Sequence, residues 1–155
     1  MSQFAFDAAR RAQQKAIRQR RNTSSRQPRP RSAHLSPQQQ AGRQAEQQAA
    51  RYLHNLGVQI LAQNLHTRMG EIDLLGWHQQ ILLFIEVRSR HSTHFGGAIA
   101  SVTPQKQQRL IRSAQLLLPT VQQQLNLRHA PACRFDVVTI QGKTIAWIPH
   151  AFVSE

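Results

Sequence analysis

Acidic residues are scarce in this chain, and their placement makes them informative. Against twenty Lys plus Arg, the 155 residues carry seven Asp plus Glu. Four of the seven, Glu71, Asp73, Glu86 and Asp136, fall inside apolar runs rich in Ile, Leu, Val and Phe. Side chains alternate across a β-strand, so in Gly70-Glu71-Ile72-Asp73-Leu74-Leu75 the residues Glu71, Asp73 and Leu75 share a face. In Leu82-Leu83-Phe84-Ile85-Glu86-Val87-Arg88 the residues Leu82, Phe84, Glu86 and Arg88 do the same. If the two segments form a hairpin that sets Leu75 near Phe84, Asp73 falls beside Glu86. Two like charges there repel unless a cation lies between them. A hard dication such as Mg²⁺ favours carboxylate oxygens and retains positions for a phosphate oxygen and a water. Arg88, two residues beyond Glu86, supplies a fixed positive charge on the same face for a phosphate. The competing reading is an ion-pair network of Glu71, Asp73 and Glu86 with Arg68, Arg88 and Arg90 at the sheet end.

The elements that must hold these residues are legible in outline. Ser36-Pro37-Gln38-Gln39 supplies an N-cap, a proline at the first helical position and a capping-box glutamine. A helix is expected from there to about Asn55, with Ala41, Ala45, Ala49 and Leu53 facing a sheet. Strands are expected at 58–62, 70–77 and 81–88, the last two joined by a short turn at 78–80. Thr103-Pro104 opens a second helix with an apolar stripe of Leu110, Ile111, Ala114, Leu117 and Leu118, which Pro119 is expected to stop. A short Gln-rich helical piece and two strands, 133–140 and 144–148, complete a mixed α/β chain.

Charge is unevenly distributed. Of the formal +13, residues 1–37 carry +8, with nine Lys or Arg against Asp7 alone. That segment has few large apolar residues after Phe6, so it cannot bury enough surface to offset its ordering entropy. It reads as a disordered, Arg-rich arm ahead of a folded domain at 38–155, suited to tether the protein to nucleic-acid phosphates. An organelle transit peptide has a similar composition and stays open as a reading. The single Cys133 allows no internal disulfide, no apolar run is long enough to span a bilayer, and no secretory signal is evident, so a cytoplasmic protein is the expectation. There is no phosphate-cradling Gly-rich motif, no HExxH and no GxSxG, which leaves nucleotide hydrolysis, zinc proteolysis and serine esterase chemistry without support.

Weaker candidates surround the acidic pair. Lys106, near the start of the second helix, reads either as a phosphate contact aided by backbone N–H groups or as a residue of a solvated helix terminus, and Arg68 and Arg90 are further candidate nucleic-acid contacts. His91 and His94 read as solvent-exposed residues. Asp136 shares a strand face with Arg134, which favours an internal ion pair, and Trp77 and Trp147 read as packing residues.

Taken together, Gly42 with Glu46, Asn64, Gly70-Glu71-Ile72-Asp73-Leu74, Phe84-Ile85-Glu86-Val87-Arg88, Gly96-Gly97, Lys106, Arg134-Phe135-Asp136-Val137-Val138 and Trp147 resemble the YraN-like family of bacterial proteins with a restriction-endonuclease-like, PD-(D/E)xK fold. That resemblance spans roughly residues 42–152. It implies a mixed central sheet flanked by helices and, by similarity to archaeal Holliday junction resolvases, a site in which Glu46, Asp73 and Glu86 hold Mg²⁺ or Mn²⁺. Arg88 stands where such sites usually carry Lys. A guanidinium stays charged, so Arg88 can orient a phosphate but is poorly suited to move a proton. The expectation is a metal-dependent, nuclease-like protein acting on DNA, branched or recombination DNA included, in which a symmetric homodimer would suit a junction substrate. The alternatives are a DNA-binding protein that keeps the fold without cleaving, and a protein-interaction module with an incidental basic tail.

Overall fold

The computed structural model describes residues 36–90 and 102–153. Most of the arm (1–35), together with His91, His94 and Gly96-Gly97, lies outside the described residues. Helix α1 (Pro37–Asn55) starts as its sequence dictates. The Ser36 hydroxyl accepts from the Gln39 backbone N–H, and the Gln39 side chain accepts from the Ser36 N–H. Strands β1 (Gln59–His66), β2 (Glu71–His78) and β3 (Ile81–Arg90) follow, then helix α2 (Pro104–Gln124), β4 (Ala132–Gln141) and β5 (Thr144–Phe152). The five strands form one mixed sheet in sequence order, antiparallel throughout except for the parallel β3–β4 pair. Parallel neighbours need a crossover, and α2 lies within it. The chain is therefore mixed α/β with a helix on each face of a five-stranded sheet.

Two clusters of apolar side chains flank the sheet. Under α1, Ala45, Ala49, Ala50 and Leu53 meet Leu74, Leu83, Ile85 and Val138. Ala41, expected on that face, is exposed. Under α2, Leu110, Ala114 and Val121 meet Leu75, Leu82, Phe84 and Val137. At Gly76 an added Cβ would come within 2.8 Å of Val58 Cγ1, so this central position admits only glycine without a local shift.

Three expectations need correction. Pro119 does not end α2, which absorbs most of the anticipated Gln-rich piece and runs to Gln124. Proline removes the bond to residue 115 and costs about 3 kcal/mol inside a helix. Both Pro119 and Gln115 are on the exposed side, where water can serve the freed carbonyl. Burial of Val121 beyond the proline offsets about 1.5–3 kcal/mol. Strand β1 runs past Ala62 to His66, because this edge strand keeps pairing through Leu65↔Ile72 and His66↔Glu71 despite the polar Gln63-Asn64. Strand β5 likewise runs past Ile148 to Phe152. It is an edge strand and so tolerates Pro149, and its pairing shifts between Phe135↔Phe152 and Val137↔Ile148.

Candidate functional site

The β2–β3 hairpin has the register anticipated from the sequence, with Leu75 opposite Phe84. His78↔Ile81 closes it through Gln79 and Gln80, both at positive φ (48° and 65°), as a two-residue hairpin turn requires. At the other end the ladder stops at Leu74↔Ile85. Asp73 and Glu86 therefore sit where the two strands part. The Val87 backbone N–H, left without a ladder partner from β2, donates to Asp73 Oδ2 at 2.8 Å.

Glu86 is 1% exposed. A buried carboxylate needs counter-charge and hydrogen bonds. Its Oε1 receives both: Lys106 Nζ, from the first turn of α2, forms a direct ion pair with it, and Arg88 Nη1 lies 3.5 Å away. Its other oxygen, Oε2, is buried without a hydrogen-bond partner. Asp73, also buried, has its pKa pushed up to about 8, first by desolvation and then by the charge of Glu86, with the Val87 N–H and Lys106 pulling the other way. At neutral pH the repulsion between the two acids is thus relieved by a proton on Asp73 and by the lysine from α2.

Glu46 approaches from α1. Its Oε2 accepts a 2.6 Å hydrogen bond from Asn64 Nδ2. Burial raises its pKa, the Asn64 bond opposes that, and Glu71 and Glu86 raise it further. Glu46 therefore feels the field of the central acids. Among the described residues, however, no three His, Cys, Asp or Glu side chains converge as a metal-binding group. The structure brings Asp73, Glu86, Arg88 and Lys106 together and sets Glu46 to one side, held by Asn64. Arg68 is exposed on the turn between β1 and β2 and makes none of these contacts, and the Arg90 side chain lies outside the described residues.

Two partnerships escape sequence reasoning. Lys106 reads as a phosphate contact, but its partner is Glu86, twenty residues earlier and on another element. Asn64 reads as lying beyond the first strand, whereas it lies within β1 at φ 54° and orients Glu46. The one available signal was Asn itself, the non-glycine residue that tolerates left-handed backbone best.

Asp136 forms the expected ion pair with Arg134, whose Nε and Nη2 donate to its two oxygens at 2.8 Å each. It also accepts from Trp147 Nε1 (2.9 Å) and the His150 N–H (3.1 Å).

The fold is that of a small mixed α/β protein with acids where two strands of its five-stranded sheet part, and comparison with known proteins assigns the chain to a family. The profile of Uncharacterised protein family UPF0102 matches residues 45–140. The chain is 41% identical over 154 residues to UPF0102 protein Bpet0439 of Bordetella petrii, which covers 97% of this chain and 95% of that relative. It is 44% identical over 118 residues to UPF0102 protein PC1_0307 of Pectobacterium carotovorum, covering 76% and 98% respectively. A Klebsiella pneumoniae relative, UPF0102 protein KPN78578_35270, is 45% identical over 122 residues, covering 79% and 91%. The chain belongs to the UPF0102 family. No helix among the described residues is long and apolar enough to cross a membrane.

Proposed function

We propose that this protein is a metal-dependent nuclease-like protein of the restriction-endonuclease-like class, acting on DNA phosphodiesters. The observation that carries this reading is the buried, partnerless Oε2 of Glu86 beside an Asp73 pushed up to about 8. Together they form a carboxylate pair with unmet acceptor capacity, and carboxylate oxygens are the donors a hard dication prefers. Asp73 and Glu86 would hold Mg²⁺ or Mn²⁺, with Glu46 as the third acid. When bound, the ion supplies Lewis-acid polarisation of a phosphate oxygen and acidification of a water. Arg88 and Lys106 then orient the phosphate and neutralise the charge that develops on it, and Arg88, fixed as a cation, moves no proton. The chain's +13 charge, with +8 in the first 37 residues, supports a polyanionic partner.

A non-cleaving DNA-binding protein is the second reading, favoured by Arg88 at the position where such sites usually carry lysine. Incubating the full chain with labelled linear, flapped and four-way DNA, in Mg²⁺, Mn²⁺ or chelator, decides between them. The expected result is strand cleavage that needs the dication and is lost in Asp73→Asn. DNA binding without cleavage selects the second reading. If calorimetry finds no dication affinity, and melting shows no gain from the ion with or without DNA, the metal-dependent reading falls.

A further inference from the structure

A cavity of about 380 Å³ opens between the first two turns of α2 and the turn joining β1 to β2. Lys106 lines it, so it adjoins the carboxylate pair. Arg109, three residues on and one turn along the same helical face, lines it too, with His66, Thr67 and Glu71 opposite. Among the described residues no ion pair engages Arg109. The wall is firmly held: Thr67 Oγ1 and the fully buried Ser113 Oγ share a hydrogen bond of 2.8 Å. Thr67 Oγ1 also accepts from the Met69 and Gly70 backbone N–H groups. Gly70 holds a φ of 155°, which side-chain-bearing residues rarely adopt, and the turn lies in van der Waals reach of α2, where an added Cβ would be 3.6 Å from Ser113 Oγ and 3.7 Å from Arg109 Cβ. No Phe, Tyr or Trp lines the cavity, and its one ring, His66, is paired with Glu71, so the wall offers no broad platform for base stacking. Its chemistry suits the sugar-phosphate backbone. The Arg109 guanidinium presents a fork that matches two phosphate oxygens. Glu71, which pairs with His66 Nδ1 at 3.5 Å, is the one opposing charge in the wall.

We propose that this cavity is a second phosphate subsite, which takes a DNA backbone phosphate flanking the one placed at Asp73 and Glu86, with Arg109 as its main ligand and Lys106 shared between the two positions. The subsite rests on the nuclease-like reading of the carboxylate pair. It reads backbone and not base sequence, because phosphate contacts position a strand without specifying it.

The test is equilibrium binding of a fluorescein-labelled DNA duplex by the full chain, across a KCl series in chelator. Arg109→Ala should weaken binding equally for unrelated sequences and make the slope of log affinity against log salt shallower by about 0.9, one phosphate contact. Arg109→Lys should keep the slope, and Glu71→Gln should tighten binding. Lys143→Ala, which removes an equal charge at the β4–β5 turn, should leave the slope unchanged. A single methylphosphonate should exist that weakens the wild type but not Arg109→Ala. The subsite is overturned if Arg109→Ala keeps the wild-type slope, or if it loses no more than Lys143→Ala. In either case, Mg²⁺ that still raises the melting temperature of the wild type and not of Asp73→Asn leaves the nuclease-like reading standing. A wild type that binds no DNA overturns both.

Discussion

Two buried carboxylate centres occupy this sheet, and they solve the same local problem with different degrees of completeness. Asp136 and Asp73 each accept a backbone N–H where strand pairing is interrupted, from His150 beside the shifted β4–β5 register and from Val87 where β2 and β3 part. Around Asp136 the neighbours complete the job. Arg134 and Trp147 bring three further donors, and the carboxylate is fully buried with both oxygens engaged. Around Asp73 the strongest charge influence is another acid, Glu86, with Lys106 opposing it more weakly, and one oxygen of that acid is buried with no hydrogen-bond partner. A satisfied buried charge joins elements together. A buried pair with unmet acceptor capacity, whose repulsion is relieved by a bound proton and a lysine, has room to gain from a ligand that brings positive charge in the proton's place.

The contrast breaks most visibly at Asp136. Asp136→Ala leaves Arg134, whose side chain is 13% exposed, as an uncompensated, largely desolvated cation and strips the Trp147 indole and the His150 N–H of their acceptor. The expected loss is about 3–5 kcal/mol, read from the urea midpoint, and it should be the same with and without Mg²⁺. A loss below about 1 kcal/mol would show that the four contacts do not act as a unit.

At the other centre the sign reverses. Asp73→Asn removes the repulsion with Glu86 while its amide oxygen can still accept from Val87. Without metal it should be stabilising at pH 8, by at least about 1 kcal/mol, and any Mg²⁺-induced rise in melting temperature should vanish. The pH dependence sharpens this. The Asp73 carboxyl titrates ordinarily near 3.8 when unfolded and about 8 when folded, so between those values the folded state holds a proton that the unfolded chain has released. Stability contributed by this group is therefore fully present below about pH 4 and is lost progressively as pH rises to about 8. Asp73→Asn lacks that decline, so the two melting curves should converge near pH 4 and separate towards pH 8. An ion must displace the same proton, so the gain from Mg²⁺ should grow over this window. Parallel curves for the two proteins would show that the Asp73–Glu86 repulsion is not felt.

Local chemistry made one half of this comparison legible and hid part of the other. The capping box at Ser36, the hairpin turn at Gln79-Gln80, the Leu75↔Phe84 register and the Arg134–Asp136 pair all arise between residues close in sequence, where alternation and turn geometry suffice. They also set Asp73 beside Glu86. What spacing could not show depends on how helices cross the sheet. Lys106 reaches Glu86 only because α2 crosses the face that carries Phe84 and Val137. Burial of Val121 carries α2 through Pro119 against its local preference, and edge-strand pairing carries β1 past Ala62 to Asn64. Each of these is a case of tertiary packing overriding a local signal.

Asn64 gives the smallest expected effect and tests whether Glu46 is held for a purpose or only as part of the packing. Two features coincide there: a left-handed backbone at φ 54° and a hydrogen bond to the Glu46 carboxylate. Asn64→Ala removes the bond and places a Cβ residue in the left-handed region, whereas Asn64→Gly removes the same bond at no such steric cost. Asn64→Ala should therefore lose about 2 kcal/mol, and Asn64→Gly about 1 kcal/mol less. The Glu46 carboxyl should respond differently. Its pKa is already raised by burial and is restrained by the Asn64 bond, so both variants should push it further up by the same amount, as followed by carboxyl ¹³C shifts against pH. Cleavage should follow the Glu46 titration and fall equally in the two proteins. If cleavage instead follows stability, with Asn64→Gly nearer to the wild type, then Asn64 serves the backbone of β1 and Glu46 is not positioned for the chemistry.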